Sequence, residues 1–257
     1  MKYSAFILIF FAFHFEGICQ RGNSGNGSIL PTGPGAPIFK TGAGTPYFLI
    51  DPEWKVTAMQ AGVVWGIYGD IKGSAFYTDE WRKGYILLQD KRIAKDISLS
   101  FNAYENQIFY LRDSEALVLN AAVPVAEFGM YDNKEDSNKI TIFRCGYPSI
   151  GRNDEKTFYQ VLSGNRITLL KHYSKSIVQR NNYMSAPDKI FSDSEAWYIY
   201  KTAENKMVAI KKNKSALEEA LPQYAGIIQS IIQQKNLKLK TENEWVSLFE
   251  ELNKEAK

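Results

Sequence analysis

Alternating apolar and polar residues mark the middle of the chain as strand-forming. Ile97, Leu99 and Phe101 alternate with serines, a period of two that is typical of a strand with one buried face. Short turn-forming stretches separate this strand from others of similar length. The other predicted strands are 107–111, 117–119, 122–128, 139–144, 157–162, 166–173, 196–201 and 206–210. Consecutive short strands joined by turns predict an antiparallel meander.

After residue 212 the apolar period becomes that of a helix. Apolar residues recur at a spacing of about 3.6 residues between Leu217 and Ile232, which predicts an amphipathic helical stretch. Ser215 and Glu218 have the spacing of a capping box, so we place the helix start there. Pro222 lies inside the pattern and should interrupt it, because proline removes a backbone donor and clashes with the preceding turn. The first helix is therefore predicted to be short.

A second capping box, Thr241 with Glu244, predicts the start of the last helix. One apolar stripe follows it, formed by Trp245, Leu248, Phe249 and Leu252. Such a stripe needs a buried partner, so we expect the C-terminal helices to pack on the sheet. A partner-binding groove and a membrane-surface helix are the alternative interpretations.

Together these patterns predict an α+β fold, in which a curved antiparallel β-meander carries C-terminal helices packed on it. The predicted divisions of the chain are a signal peptide at 1–19, a flexible Gly/Pro-rich leader at 20–46, a β-rich body at 47–212 and the helices at 213–257.

The N-terminus has the layout of a secretory signal peptide. Lys2 supplies a positive charge, residues 5–13 are wholly apolar, and Gly17 and Cys19 place small residues before a cut between Cys19 and Gln20. The apolar run is too short for a membrane span. In bacterial lipoproteins the lipid-attachment cysteine normally follows a small residue. Here Cys19 follows Ile18, so we do not predict a lipoprotein. We expect a periplasmic or secreted protein without an integral membrane span after cleavage.

Composition supports a globular chain and excludes several classes. Of 257 residues, 45% are hydrophobic and 23% are charged, so an intrinsically disordered chain is excluded. The formal net charge is only +3, which gives no argument for nucleic acid as a partner. Cleavage leaves one cysteine, Cys145, and one histidine, His172, and a chain with a single cysteine cannot form an internal disulfide.

The residues needed for common catalysis are scarce. His172 lies in a predicted strand beside lysines, where we interpret it as a strand histidine and not as a catalytic base. We interpret Cys145, at the end of another predicted strand, as a buried thiol. The adjacent acids Asp79 and Glu80 would point to opposite faces of a strand and so suit a glycosidase pair poorly. We therefore predict no catalytic residues.

The sequence evidence for metal, nucleotide and anion sites is equally weak. A zinc cluster of Cys and His cannot form, and no phosphate-binding glycine loop lies between a strand and a helix. The acidic stretch Asp132 to Ser137 leaves a calcium site open, although the EF-hand spacing is missing. Basic residues between 166 and 180 form a possible anion-binding ladder, which we interpret as a solvated strand face. We predict neither a cofactor nor a metal.

Several longer stretches point to a family. These are Gly73-Ser74-Ala75-Phe76-Tyr77-Thr78-Asp79-Glu80-Trp81-Arg82-Lys83-Gly84-Tyr85, Leu99-Ser100-Phe101-Asn102-Ala103-Tyr104-Glu105-Asn106-Gln107-Ile108, Phe158-Tyr159-Gln160-Val161-Leu162 and Asn236-Leu237-Lys238-Leu239-Lys240. From residue 73 onward the chain resembles a group of exported proteins of Bacteroidota-type bacteria that have no established function. The resemblance implies export and a strand-rich body with a helical tail, and it carries no catalytic residues.

These observations predict an exported, non-catalytic cell-envelope protein that binds a protein partner or a surface component. One alternative is a carrier of an apolar ligand held between the curved sheet and the C-terminal helices. Another is a carboxylate-based hydrolase, which would need Asp or Glu residues that converge in an open cleft.

Overall fold

The computed structural model describes residues 38–40, 48–49, 59–60, 64–112, 114–119, 123–132, 139–182 and 185–256. Most of the predicted signal peptide and leader therefore lies outside the described residues. The strands are β1 Ile38–Lys40, β2 Phe48–Leu49, β3 Met59–Gln60, β4 Ile71–Lys72, β5 Arg82–Leu88, β6 Ile93–Asn102, β7 Gln107–Arg112, β8 Glu115–Val118, β9 Val125–Tyr131, β10 Ile140–Arg144, β11 Tyr159–Ser163, β12 Ile167–Asn182, β13 Ser185–Lys201 and β14 Lys206–Ile210. The helices are α1 Lys214–Ala220, α2 Ala225–Gln234 and α3 Glu242–Glu255.

Across the described residues the strands form one open, mainly antiparallel sheet of 14 strands. Its main order is β14-β13-β12-β11-β10-β9-β5-β6-β7-β8-β3. The α+β class and the antiparallel pairing are thus confirmed. The sheet is nevertheless mixed, because β4 pairs in parallel with β13. No helix in the described part of the chain is both long and apolar enough to span a bilayer.

The main strand order departs from a simple meander where β9 pairs with β5, and again at its end, where β8 pairs with β3. Two runs of sequential strands, β5 to β8 and β9 to β14, meet at the β9–β5 pair. Glycines make the close approach possible. A Cβ at Gly84 would lie 2.0 Å from the carbonyl oxygen of Gly129, and a Cβ at Gly129 would lie 2.4 Å from the ring of Tyr85. No side chain fits at either position without displacing its neighbour.

Two main apolar clusters stabilise the sheet. The first lies on one face of β5, β6, β7, β9 and β10, and its aromatic centre is formed by Phe101, Phe128, Phe143 and Phe158. The alternating residues Ile97, Leu99 and Phe101 belong to it, as predicted from their period of two. Burying each large side chain of this kind stabilises the fold by about 1.5–3 kcal/mol.

The second cluster joins the helices to the sheet. Ile167 and Leu169 of β12 and Trp197 and Ile199 of β13 pack against α1, α2 and α3. The predicted stripe on α3 is fully buried here: Trp245, Leu248, Phe249 and Leu252. Helix packing on the sheet is therefore confirmed.

The helix boundaries correct one prediction and confirm two. The side chain of Asn213, not Ser215, caps α1 by accepting from the backbone N–H of Ala216 at 2.8 Å, so the first capping box is wrong. Pro222 ends α1 and begins a short 3-10 helix before α2, as expected. The capping box of Thr241 with Glu244 is present at the start of α3.

The β12–β13 hairpin is much longer than predicted. It pairs from Ile167 with Lys201 out to Asn182 with Ser185, whereas β11 and β14 pair only with its inner end. The outer half instead packs beside the β6–β7 turn, where the backbone N–H of Lys175 donates to the carbonyl of Ala103 at 3.3 Å. Phe191 joins a third apolar cluster there.

Candidate binding groove

A groove of about 650 Å³ opens on the face of the sheet opposite the helices. Thr168 faces the groove, while its neighbours Ile167 and Leu169 face the helices, as alternation along a strand requires. Thr168 pairs directly with Tyr200 of β13, which brings both side chains to the same place. The volume falls within the range of about 300–1,000 Å³ that is usual for small-molecule sites.

The groove has two walls that the backbone fixes. One begins where β10 ends: Gly146, with φ of 82°, turns the chain away from the sheet, and its N–H donates to the carbonyl of Glu155 at 2.7 Å. The other is the β11–β12 turn, whose Asn165 carbonyl accepts from the hydroxyl of Thr202 at 3.0 Å. The turn is thereby attached to the end of β13.

Arg144 has the one ionic side chain among the described residues that line the groove. Its guanidinium is bound to the buried carboxylate of Glu127, with Nε 2.7 Å from Oε2. The hydroxyl of Tyr85 donates to the other oxygen of Glu127 at 2.5 Å. The positive charge beside the groove is therefore already balanced, and both carboxylate oxygens are occupied.

Tyrosines form a connected aromatic cluster beneath and beside the groove. Tyr147 packs edge-on against Tyr200 at 5.0 Å and against Tyr159 at 5.7 Å, and Tyr159 contacts Tyr198 at 5.4 Å. Burial raises the pKa of Tyr147 to about 12, although Arg144 opposes the shift. The Tyr147 phenol is therefore neutral at physiological pH.

His172 lies on β12, as predicted, next to the aromatic cluster and not in the groove. Its ring centroid is 5.4 Å from that of Tyr159, and its Nδ1 is 3.5 Å from Nδ2 of Asn153. The imidazole therefore contacts an amide and an aromatic ring.

Cys145 is buried at the edge of the groove, as predicted. Its sulfur belongs to a disulfide, which differs from the lone thiol expected of a chain cleaved after Cys19. Cys19 and Gln20, the residues of the predicted cleavage site, lie outside the described residues.

The acidic candidates do not converge. Asp79 and Glu80 lie in a bend before β5, so the strand assumed for them is wrong, and Asp79 accepts a hydrogen bond from the hydroxyl of Ser74. The stretch Asp132 to Ser137, where a calcium site was left open, falls largely outside the described residues, since 133–138 are not described. Within the described ranges no group of three or more His, Cys, Asp and Glu side chains is placed to hold a metal ion.

The basic stretch of residues 166–180 is a solvated face only in part. Arg166 and Arg180 are exposed, whereas the side chains of Lys171 and Lys175 are only 9% and 10% exposed. Lys171 pairs with Glu242 of α3 at 2.7 Å, and Lys175 pairs with Asp193 at 3.0 Å. The interpretation as a solvated strand face therefore fits the two arginines and is wrong for the two lysines, which are largely covered and held in ion pairs.

Sequence reasoning missed the groove because its residues come from three separate stretches of the chain. The strand registers bring together 144–147, 161–168 and 200–202. The one available signal was the alternation of Tyr198 and Tyr200 on β13, which is also typical of an ordinary sheet core. Comparison of the chain with protein-family models, curated proteins and solved structures finds no match.

Proposed function

We propose that this protein is an exported, non-catalytic component of the cell envelope that binds a surface component or partner through the groove. The observation that carries the proposal is the groove's lining. It combines aromatic and hydroxyl side chains, and no Asp, Glu or His occurs among the described residues that form it. Polar groups that orient a ligand are present, whereas an acid/base pair or a nucleophile–imidazole pair is missing from these residues.

The interior of the protein gives less support to an apolar-ligand carrier. The space between the sheet and the helices is filled by side chains such as Trp245 and Phe249, which are fully buried. Trp197 and Trp245 contact each other there, with ring centroids 5.9 Å apart. A ligand in this layer would have to displace well-packed side chains, which is costly in a close-packed interior.

A carboxylate-based hydrolase is also less well supported. The carboxylate that binds the lining residue Arg144, Glu127, is buried and holds Arg144 and Tyr85 through its two oxygens. A general acid or nucleophile must reach the substrate, and this carboxylate is committed to its own partners.

The test compares capture of envelope material by the wild-type protein and by a blocked variant. Gly164 lies at the groove, and a Cβ there would make only ordinary contacts, 3.5 Å from Val161 and 3.7 Å from Thr168. We expect Gly164→Phe to fill the groove and Gly164→Ala to leave it open. The exported protein, immobilised, is exposed to fractionated envelope polysaccharide, lipid and protein from its own host.

The proposal requires that one fraction bind to the wild-type protein and to Gly164→Ala but not to Gly164→Phe. Equal capture by both variants would show that the groove is not the binding surface. Turnover of any ester, glycoside or peptide in a broad hydrolase screen, lost in Gly164→Phe, would overturn the non-catalytic assignment.

A further inference from the structure

The groove also restricts the chemistry of its ligand, starting with charge. Arg144 is the one ionic side chain among its described lining residues, and it already donates from Nε and Nη2 to Glu127. That carboxylate is only 7% exposed. An anionic ligand would have to share the guanidinium with a carboxylate that cannot move into water, and like charges at this distance repel. A neutral ligand meets no such cost.

The polar atoms of the groove are mainly hydroxyl groups. Thr202 donates its hydroxyl hydrogen to the Asn165 carbonyl at 3.0 Å, and Tyr200 donates to the side chain of Asn205 at 3.1 Å. The hydrogens are thus engaged, while each oxygen keeps lone pairs that can accept. A ligand that fits must therefore offer several hydrogen-bond donors of its own. Hydroxyl groups provide them without adding charge.

The remaining surface of the groove is apolar. Val161 lies on the same face of the sheet, and the partly exposed ring of Tyr200 rests on Tyr147. An aromatic ring with a polar edge suits a ligand whose faces are C–H groups and whose rim carries hydroxyls. Sugar rings have this amphipathic form, whereas the chain of a fatty acid would offer no hydrogen-bond donor to the free lone pairs of the threonine and tyrosine hydroxyls.

From these features we infer that the groove binds a neutral saccharide, with Tyr200 as the stacking platform and Thr168, Thr202 and Asn165 as the hydrogen-bonding edge. The inference rests on the proposed function, because it names the ligand class of the same groove. A volume of about 650 Å³ accommodates a short oligosaccharide.

The experiment measures binding of named probes to the full exported chain by isothermal titration calorimetry. The neutral probes are cellotetraose, maltotetraose, chitotetraose and mannotetraose, and the anionic probes are trigalacturonate and inorganic phosphate. We expect at least one neutral probe to bind with an affinity that changes by less than about twofold between about 0.05 and 0.5 M NaCl.

Variants then assign the site. We expect Gly164→Phe and Tyr200→Ala each to raise the Kd of that probe at least about tenfold, the loss of roughly one good contact. Thr202→Val, which nearly preserves shape, keeps the test valid if Tyr200→Ala does not fold. Gly164→Ala and Tyr104→Ala are the matched controls, because Tyr104 is an exposed tyrosine of the β6–β7 turn. Both should bind like the wild-type protein.

The other outcomes separate the two proposals. Binding of an anionic probe alone, weakened by salt and by Arg144→Gln, overturns the saccharide inference and leaves the binding function intact. So does the absence of probe binding when envelope material is still captured by the wild-type protein and not by Gly164→Phe. A neutral probe unaffected by the groove variants also overturns the inference. Capture that is equal in wild-type protein and Gly164→Phe refutes the proposed function itself.

Discussion

Asn253 on α3 replaces a missing strand neighbour at the start of β12. Its Oδ1 accepts from the backbone N–H of Ile167 at 3.0 Å, and its Nδ2 donates to the Ile167 carbonyl at 2.8 Å. The same Nδ2 donates to the carbonyl of Phe249 at 2.9 Å. One amide side chain thus satisfies both polar groups of a backbone position in the sheet, much as a neighbouring strand would.

Asn253→Asp tests this arrangement with almost no change of shape. The carboxylate still accepts from Ile167, but it donates nothing and stands within 3 Å of two carbonyl oxygens. Two hydrogen bonds are lost, each worth about 0.5–1.5 kcal/mol, and a buried carbonyl left unsatisfied adds about 1–3 kcal/mol. The negative charge in the last turn of α3 opposes the helix dipole as well. We expect the free energy of unfolding to fall by about 2–4 kcal/mol at pH 7.

The assay is urea unfolding of both proteins at pH 7 and pH 4, followed by tryptophan fluorescence. The carbonyl oxygens raise the pKa of the new carboxyl in the folded state, so stability is present below its unfolded pKa of about 3.9 and is lost as pH rises. The deficit should therefore be smaller at pH 4. Asn243→Asp in the exposed first turn of α3 is the control, and we expect it to be neutral or stabilising by about 0.3–1 kcal/mol. Equal midpoints for Asn253→Asp and Asn243→Asp would refute the reasoning.

Three further predictions follow from other parts of the molecule. Gly129→Ala should lower the free energy of unfolding by about 1–3 kcal/mol, because the new Cβ overlaps a facing tyrosine ring. Gly226→Ala in α2 is the control: nothing lies within 4 Å of the added Cβ, so the free energy of unfolding should not fall. Chemical denaturation that finds Gly226→Ala less stable than Gly129→Ala would contradict the packing at the β5–β9 pair. Hydrogen bonds from the backbone N–H groups of Lys238, Thr241 and Lys240 hold the pKa of Glu244 at about 2. The stability that this group contributes is present above its unfolded pKa of about 4.5 and is lost as pH falls toward 2. In Glu244→Gln the melting temperature should therefore fall less steeply on the acid side of a pH series. A pH dependence of the melting temperature identical to that of the wild-type protein would count against the capping box. Intact mass spectrometry should find a mature chain that begins at Gln20 and takes up one alkyl group without reductant, whereas an uncleaved chain that needs reductant for alkylation would disprove the signal-peptide prediction.

Periodicity predicted the elements whose environment is uniform along their length. Ile97, Leu99 and Phe101 line one apolar cluster throughout, and the stripe from Trp245 to Leu252 lies entirely within the cluster that joins the helices to the sheet. In each case every apolar residue faces one continuous apolar cluster, so the period of two or 3.6 persists in the sequence.

The outer half of the β12–β13 hairpin was not predicted, because its inward face is chemically mixed. Lys175 and Ile177 alternate with the exposed Ser176 and Val178. One of the two inward positions is thus a lysine, and its ion-pair partner Asp193 lies on the returning strand, which no local pattern reveals. Pro187 lies on the returning strand, and the structure accommodates it within β13 although proline is uncommon inside sheets.

The β5–β9 pairing and the groove were missed for a different reason. Both depend on which strands lie side by side in the sheet, and not on the sequence of any single strand. Gly84 and Gly129 mark the pairing only after the register is known, since isolated glycines in strands have several explanations. Arg144 lies next to Cys145 in the sequence, but its partner Glu127 lies on another strand and becomes its neighbour only through the β9–β10 register.

Along the main order, the two runs of strands are joined only through β5 and β9. Deletion of either run should therefore be poorly tolerated. Removal of either run would leave one of these central strands with a bare row of amide and carbonyl groups. Such a row pairs readily with other copies of the chain, so a truncated descendant would aggregate before it could become a smaller domain. Insertions and deletions are better tolerated at the far end of the order, at β14, where strands can be gained or shortened without exposing the centre.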